Sequence, residues 1–194
     1  MATTALQIQN AAALKLGENQ VASGDTSIVA VSLAAHYERC RRLLLTEHRW
    51  NFAVTRYQTG STENAESWVG AGYKYIHSVP DDILELISVA PDTGHSYEAG
   101  RLFSNETQLT IKYVRDEDDV PLFPEMFCEA LACYLAAEND RYIANSNTTK
   151  QSLMAEYSMW IAKAQFRNLL ESPGIDQSDP YDDWEKSRYN GPVY

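Results

Sequence analysis

Few residues in this chain could do chemistry. His36 and Cys40 lie one helical turn apart with His48 further along the same run, so a metal site can be imagined there. Zinc, however, wants four ligands, usually supplied by close Cys or His pairs, and Cys40 also falls on an apolar stripe, where a thiol acts as a small hydrophobe. Cys128 and Cys133 are five apart, neither a CxxC pair nor one helical face, and read the same way. The run Asp116-Glu117-Asp118-Asp119 lacks the alternating ligands and central glycine of a calcium loop. With Pro121 and Pro124 close behind it, it reads as a solvated loop before a helix N-terminus, where negative charge is favourable by about 0.3–1 kcal/mol. Gly70-Ala71-Gly72 is flanked by aromatics rather than by a strand and a helix, and no nucleophile elbow, HExxH, Walker or dinucleotide motif occurs. The expectation is no catalytic, cofactor-binding or metal residue and no cofactor. The enzymatic alternative is a dispersed site, for which the four histidines offer few bases.

Recognition chemistry is better represented. Arg39, Arg41, Arg42 and Arg49 concentrate positive charge on one segment of an otherwise acidic chain. The plain reading is a solvated helix face. The sharper one is a strip that docks carboxylates of a neighbouring subunit, or of the chain's own acidic tail, because guanidinium pairs carboxylate in fixed bidentate geometry. That tail, Ile175 to Tyr194, has no helical or strand period and five acids, yet holds Tyr181, Trp184, Tyr189 and Tyr194 with no local core to bury them. Segments that stay disordered normally lack aromatics, so it reads as an arm that orders on another surface. Arg39, Arg42, Arg49, Tyr181, Trp184 and Tyr189 are the candidate interface residues.

Composition narrows the partners. The 194 residues suffice for one domain, or one with an insertion, and 44% hydrophobic with 22% charged residues is the balance of a globular protein. The 27 acids against 16 bases give a net charge of −11, which withholds the basic footprint that tight nucleic-acid binding needs. No basic leader, long apolar run or disulfide framework is evident, so a reducing cytoplasm and no membrane are expected. Twelve tyrosines and four tryptophans hint at subunit contacts.

The elements that must position these residues change type along the chain. A helix is expected from about Thr4 to Leu16, with Leu6, Ala13 and Leu14 on one face, Thr4 and Gln7 as a capping box, and Gly17 as its stop. After Ser23-Gly24-Asp25, the spacing of Leu33, Tyr37, Cys40 and Leu44 predicts an amphipathic helix to about Glu47, with Arg39, Arg42 and Arg49 opposite. From Asn51 to Asp119 the period becomes two, as in Leu109, Ile111 and Tyr113, so four to six short antiparallel strands are expected, with turns at Gly60-Ser61, Gly70 to Gly72, Pro91 to Gly94, Ala99-Gly100 and Ser104-Asn105. Pro124 suits the first position of a third helix carrying Phe127, Leu131 and Tyr134. Thr148 and Gln151 offer a capping box to a fourth, with a stripe of Leu153, Tyr157, Trp160, Ile161 and Ala164, ended by Ser172-Pro173-Gly174. The fold class expected is mainly α with inserted β: a four-helix bundle-like unit in two parts, 1–50 and 120–172, interrupted by an antiparallel β-domain at 51–119 and followed by an extended arm at 173–194.

Read in order, several blocks resemble the tail tubular protein A family, the head-to-tail adaptors of tailed bacteriophages. They are Ala11-Ala12-Ala13-Leu14-Lys15-Leu16-Gly17-Glu18, then Tyr37-Glu38-Arg39-Cys40-Arg41-Arg42-Leu43-Leu44-Leu45, then His48-Arg49-Trp50-Asn51-Phe52-Ala53. Tyr73-Lys74-Tyr75 leads into Val79-Pro80-Asp81-Asp82-Ile83-Leu84, followed by Gly100-Arg101-Leu102, Leu109 to Arg115, and Phe127 to Ala137. The resemblance spans Leu6 to Glu171, and its most specific block is the aromatic cluster of Trp50, Asn51, Phe52 and Ala53 after the Arg-Arg-Leu-Leu segment, combined with the Tyr-x-Tyr and Pro-Asp-Asp segment that follows. Independently of any family, Trp50 and Phe52 stand where helix gives way to sheet and are placed to pin one to the other.

The resemblance implies a structural protein without catalytic residues. Its homo-oligomer would be a dodecameric ring beneath the portal protein, with helices toward the portal and neighbouring subunits and the β-part toward the distal tail (nozzle) protein. DNA would pass through the lumen unbound, which an acidic surface suits because duplex carries a charge about every 1.7 Å. The expected location is the virion tail or neck after assembly in the host cytoplasm. The rival readings are a neck connector of a long-tailed phage and a small cytoplasmic enzyme. The arm from Tyr181 to Tyr194 matches no family motif.

Overall fold

A computed structural model describes residues 3–63, 72–143 and 147–171. They form four helices and antiparallel sheets, a mixed helix-and-sheet fold. The capping box that opens α1 (Ala5–Lys15) is present, with Gln7 N donating to Thr4 Oγ1 at 3.3 Å and Thr4 N to Gln7 Oε1 at 2.8 Å. Gly17 closes it at φ +79°, as Glu18 N donates to Ala13 O and Gly17 N to Leu14 O. The buried face differs from expectation: Ile8, Ala12 and Ala13 face inward and Leu14 is exposed. In an alanine-rich helix several faces are nearly equivalent, and contact with a distant helix selects among them.

The helix α2 (Ile28–Glu47) is capped by the Ser27 hydroxyl and buries Leu33, Tyr37, Cys40 and Leu44, as their spacing predicts. Helix α3 (Glu125–Ile143) begins one residue after Pro124, whose carbonyl accepts from Phe127 N and Cys128 N. Proline thus occupies the position before the first helical residue. Small and apolar side chains let most of α3 be buried, and the helix packs against α1, α2 and α4 (Asn147–Glu171). Thr148 lies within α4 rather than capping it. The inner stripe of Leu153, Tyr157, Ile161 and Ala164 is buried, with Trp160 at its edge. The expected stop at Ser172-Pro173-Gly174 and the arm lie outside the described residues.

Between α2 and α3 the described residues form seven strands rather than four to six. Strands β1 (Val54–Thr59), β7 (Leu109–Arg115) and β4 (Ile83–Ala90) make one sheet in the order β1-β7-β4. Strands β2 (Ser61–Glu63), β3 (Tyr75–His77), β6 (Arg101–Ser104) and β5 (His95–Glu98) make another in the order β2-β3-β6-β5. All pairings are antiparallel. Gly60 is the single residue between β1 and β2, so it is a crossing point between sheets instead of the expected hairpin turn. Ala99-Gly100 does close a two-residue hairpin, both at positive φ, between paired Glu98 and Arg101.

Two apolar cores result. The larger joins the helices to the sheet through Trp50, Ala53 and Val114, and the smaller gathers Val89, Leu109, Ile111 and Tyr113 of the first sheet with Leu102 of the second. At the junction Trp50 and Phe52 stack with ring centres 6.0 Å apart, and both meet Phe127 edge-on, at 5.2 and 5.1 Å. The Trp50 indole N–H also donates to Leu44 O at 2.7 Å, so this one residue ties α2, the first strand and α3 together.

Candidate functional site

The four arginines separate into two kinds. Arg39, Arg42 and Arg49 are exposed, and each has a carboxylate partner in the same chain: Glu138 of α3 at 2.6 Å, Asp116 after β7 at 2.7 Å, and Glu85 of β4 at 3.1 Å. Pairs exposed like those of Arg39 and Arg49 contribute about 0–1 kcal/mol, so these two side chains retain the freedom to serve a surface, whereas the Asp116 carboxylate that holds Arg42 is only 14% exposed. Arg41 is 4% exposed. It meets Asp116 Oδ1 at 3.0 Å and donates to the Glu117 carbonyl, while Glu117, itself buried, takes Arg115 at 2.6 Å.

The acidic run is therefore not a solvated loop throughout. Asp116 and Glu117 turn inward and fasten the end of β7 to α2, while Asp118 and Asp119 remain exposed. Local sequence shows four acids before a proline; only the long-range approach of Arg41 decides which two turn inward, Glu117 buried and Asp116 half-buried.

On its outward side α2 bears a shallow groove of about 480 Å³ lined by Ala35, Glu38, Arg39, Arg42, Leu43 and Thr46. A second hollow of about 330 Å³ lies between the start of α3 and the end of α4, beside Trp50, Met126, Ala164 and Asn168. Arg49 stands apart from the groove, at the junction with the sheet. The other candidate interface residues, Tyr181, Trp184 and Tyr189, lie outside the described residues.

The imagined metal ligands have other occupations. His36 Nδ1 is 2.8 Å from Ser32 O and its ring stacks on Tyr142. Cys40 is fully buried, which pushes its thiol up to about 12, and His48 Nε2 lies 3.0 Å from Asn168 Nδ2. Burial likewise raises Cys128 to about 12 and Cys133 to about 11. Among the described residues no three His, Cys, Asp or Glu side chains are placed to hold a metal ion, and no helix is long and apolar enough to cross a membrane.

One constellation escaped sequence reading. His77 of β3 is buried, with Nδ1 2.8 Å from Thr59 Oγ1 of β1 and Nε2 2.9 Å from Ser104 Oγ of β6. Thr59 Oγ1 donates to Leu109 O and Ser104 Oγ to Glu106 O, both at 3.2 Å, and Glu106 N donates to Ser104 Oγ at 3.1 Å. Because the Thr59 and Ser104 hydroxyls can each donate to a backbone carbonyl, a neutral imidazole donates from one ring nitrogen to the hydroxyl it faces, and the other hydroxyl turns its proton toward the second nitrogen. A serine beside a histidine resembles a nucleophile and its base, but Ser104 is fully buried, so the trio clamps the two sheets together. Three hydroxyl- or imidazole-bearing residues scattered over 46 positions give no local signal.

Burial lowers the His77 pKa, while the hydrogen bond to Glu106 opposes it. As pH falls, the unfolded chain takes up this proton before the folded one does. The stability His77 contributes is thus complete above its unfolded value of about 6.5 and lost as pH falls through the folded value. His48 shifts in the same direction by burial, against an opposing effect of Glu47, so the wild type alone cannot isolate either group. Melting temperature should decline from pH 7 to 5 and decline less steeply in His77→Gln. Parallel pH profiles would show that His77 does not couple to folding.

The described fold thus presents helical surfaces and an ionic fastening rather than converging reactive groups, in a mixed helix-and-sheet protein. No protein-family model and no curated protein matched the sequence.

Proposed function

We propose that this chain is a structural head-to-tail adaptor of a short-tailed bacteriophage, resembling the tail tubular protein A family and forming a dodecameric ring under the portal. The observation that carries this reading is the ordered series of blocks from Ala11 to Ala137, whose most specific member, His48 to Ala53, supplies the residues that join α2 to the sheet. Exposed apolar side chains on α2 and α4 add support, since patches of that kind mark interaction sites. In the proposed organisation, 1–50 and 120–172 form a four-helix bundle-like unit toward the portal and neighbouring subunits. The inserted β-domain, 51–119, faces the nozzle protein. Net charge of −11 lets DNA pass through the lumen without being gripped.

In this reading the arm, 173–194, docks on the portal or an adjacent subunit through Tyr181, Trp184 and Tyr189, and its five acids steer the approach and fix register. Truncation after Pro173 is expected to leave the melting temperature unchanged, because α4 already packs through Ala164 and Asn168, yet to abolish co-sedimentation with the portal. An unfolded truncated chain would place the arm in the core; normal portal binding would make the arm dispensable and refute its assignment.

A further inference from the structure

Helix α4 has two apolar stripes. Opposite the one that packs on α3 run Ala155, Met159, Ala162, Phe166 and Leu169, spaced four, three, four and three residues apart and all exposed, Phe166 at 65%. An apolar stripe of this spacing is what one helix presents to another. The end of α4 is held in place, since Asn168 Oδ1 accepts from Asn51 N at 2.7 Å and Asn168 Nδ2 donates to Arg49 O at 3.1 Å. Phe166 and Leu169 are therefore displayed on an anchored turn.

Among the described residues the outward side of α2 is likewise uncovered, and it has the complementary form. Ile28, 77% exposed, and Val31 stand exposed in the first turn of α2 and Leu43 near its other end, and between them Ala35 forms the floor of the groove walled by Arg39 and Arg42. The guanidiniums are already neutralised by Glu138 and Asp116, so covering them with an aromatic ring strands no charge, and a ring face attracts a guanidinium within about 6 Å. Exposed Glu38 at the groove's rim suits Lys163 beside Phe166.

We propose that the outer stripe of α4 in one copy docks into the outer groove of α2 in the next, with Phe166 as the knob and Ala35, Arg39 and Arg42 as the hole. The occupant of each face is a second copy of this chain. Because α2 and α4 are different surfaces that both pack on α3 through their inner stripes, the contact is head-to-tail, and such contacts propagate and close into a ring when the rotation permits. The closure rests on the ring reading above; the pairwise contact does not.

The test is disulfide cross-linking of the full chain with Ala35→Cys and Ala162→Cys, made at exposed positions. The three native cysteines are buried and their thiols raised, so they stay silent. A mixture of the two single variants should give covalent dimers, and neither variant alone should. Linkage of Ala162→Cys to itself, of Ala35→Cys to itself, or no linkage overturns the proposal. Separately, Phe166→Asp should weaken self-association measured by sedimentation about thirtyfold or more, as loss of a hot-spot aromatic does, at unchanged melting temperature. Unchanged association, or a wild-type chain monomeric at every concentration, also overturns it. Rings lacking the Ala35–Ala162 linkage would sink this contact and leave the ring; linked open chains that never close would do the reverse.

Discussion

Replacing Trp50 by alanine is expected to lower the stability of the chain by about 4 kcal/mol, within the range for deleting a buried aromatic from a packed core. Trp50 is 1% exposed and stands at the meeting point of α2, the first sheet and α3. The variant loses the edge-on contact with Phe127, the stacking on Phe52 and the hydrogen bond to Leu44 O. For a chain of this length the loss corresponds to a fall in melting temperature on the order of 10 °C. Trp50→Phe keeps a ring but not the indole N–H, and should cost about 1–2 kcal/mol, including the unpaired carbonyl of Leu44. Urea unfolding followed by circular dichroism reads both numbers. A loss below about 1 kcal/mol for Trp50→Ala would mean that Phe52, Phe123 and Phe127 hold the junction by themselves.

The arginines give the second large contrast. Arg41→Met should destabilise by about 3 kcal/mol, the low end for removing one partner from a buried ionic network, because Asp116 keeps Arg42 at 2.7 Å. Arg39→Ala should cost no more than about 1 kcal/mol, as for other exposed pairs, although Arg39 lies in the same segment. The expected separation is therefore threefold or more in free energy between side chains two positions apart, readable in denaturant titrations of the single variants. Equal losses would show that the Glu138 pair is as structural as the Asp116 and Glu117 network and would leave Arg39 no claim to a surface role.

Those two residues mark where sequence reading succeeds and where it stops. The apolar stripe of α2 follows from its period, because Leu33, Tyr37, Cys40 and Leu44 must share a face once the segment is helical. The alternation of Leu109, Ile111 and Tyr113 likewise fixes which side of β7 is buried. A period assigns a residue to a face but says nothing of what comes to meet that face. Arg41 is adjacent to Arg42 in sequence yet is buried, since the chain returns 75 residues later with Asp116 and Glu117. Arg39, Arg42 and Arg49 find carboxylates on α3, after β7 and on β4 of the same chain, partners that no helical period could name.

The same limit explains the remaining differences. One amphipathic stripe was legible in α4; the second was obscured because Met159, Phe166 and Leu169 fill the positions where polar residues normally mark the solvent side. Thr148 carries the residue type of a cap but sits inside the helix, and Gly60 carries that of a turn but bridges two sheets. The His77, Thr59 and Ser104 clamp depends on three strands converging, which no local window contains. Packing therefore refines each local expectation where two segments remote in sequence compete for the same space.

Negative-stain electron microscopy of the purified full chain, alone and mixed with the portal of the same phage, tests the adaptor reading most directly. The account predicts closed rings of uniform diameter with twelvefold symmetry that sit coaxially on portal particles. Particles of monomer size in both samples, with the portal left bare, would contradict it.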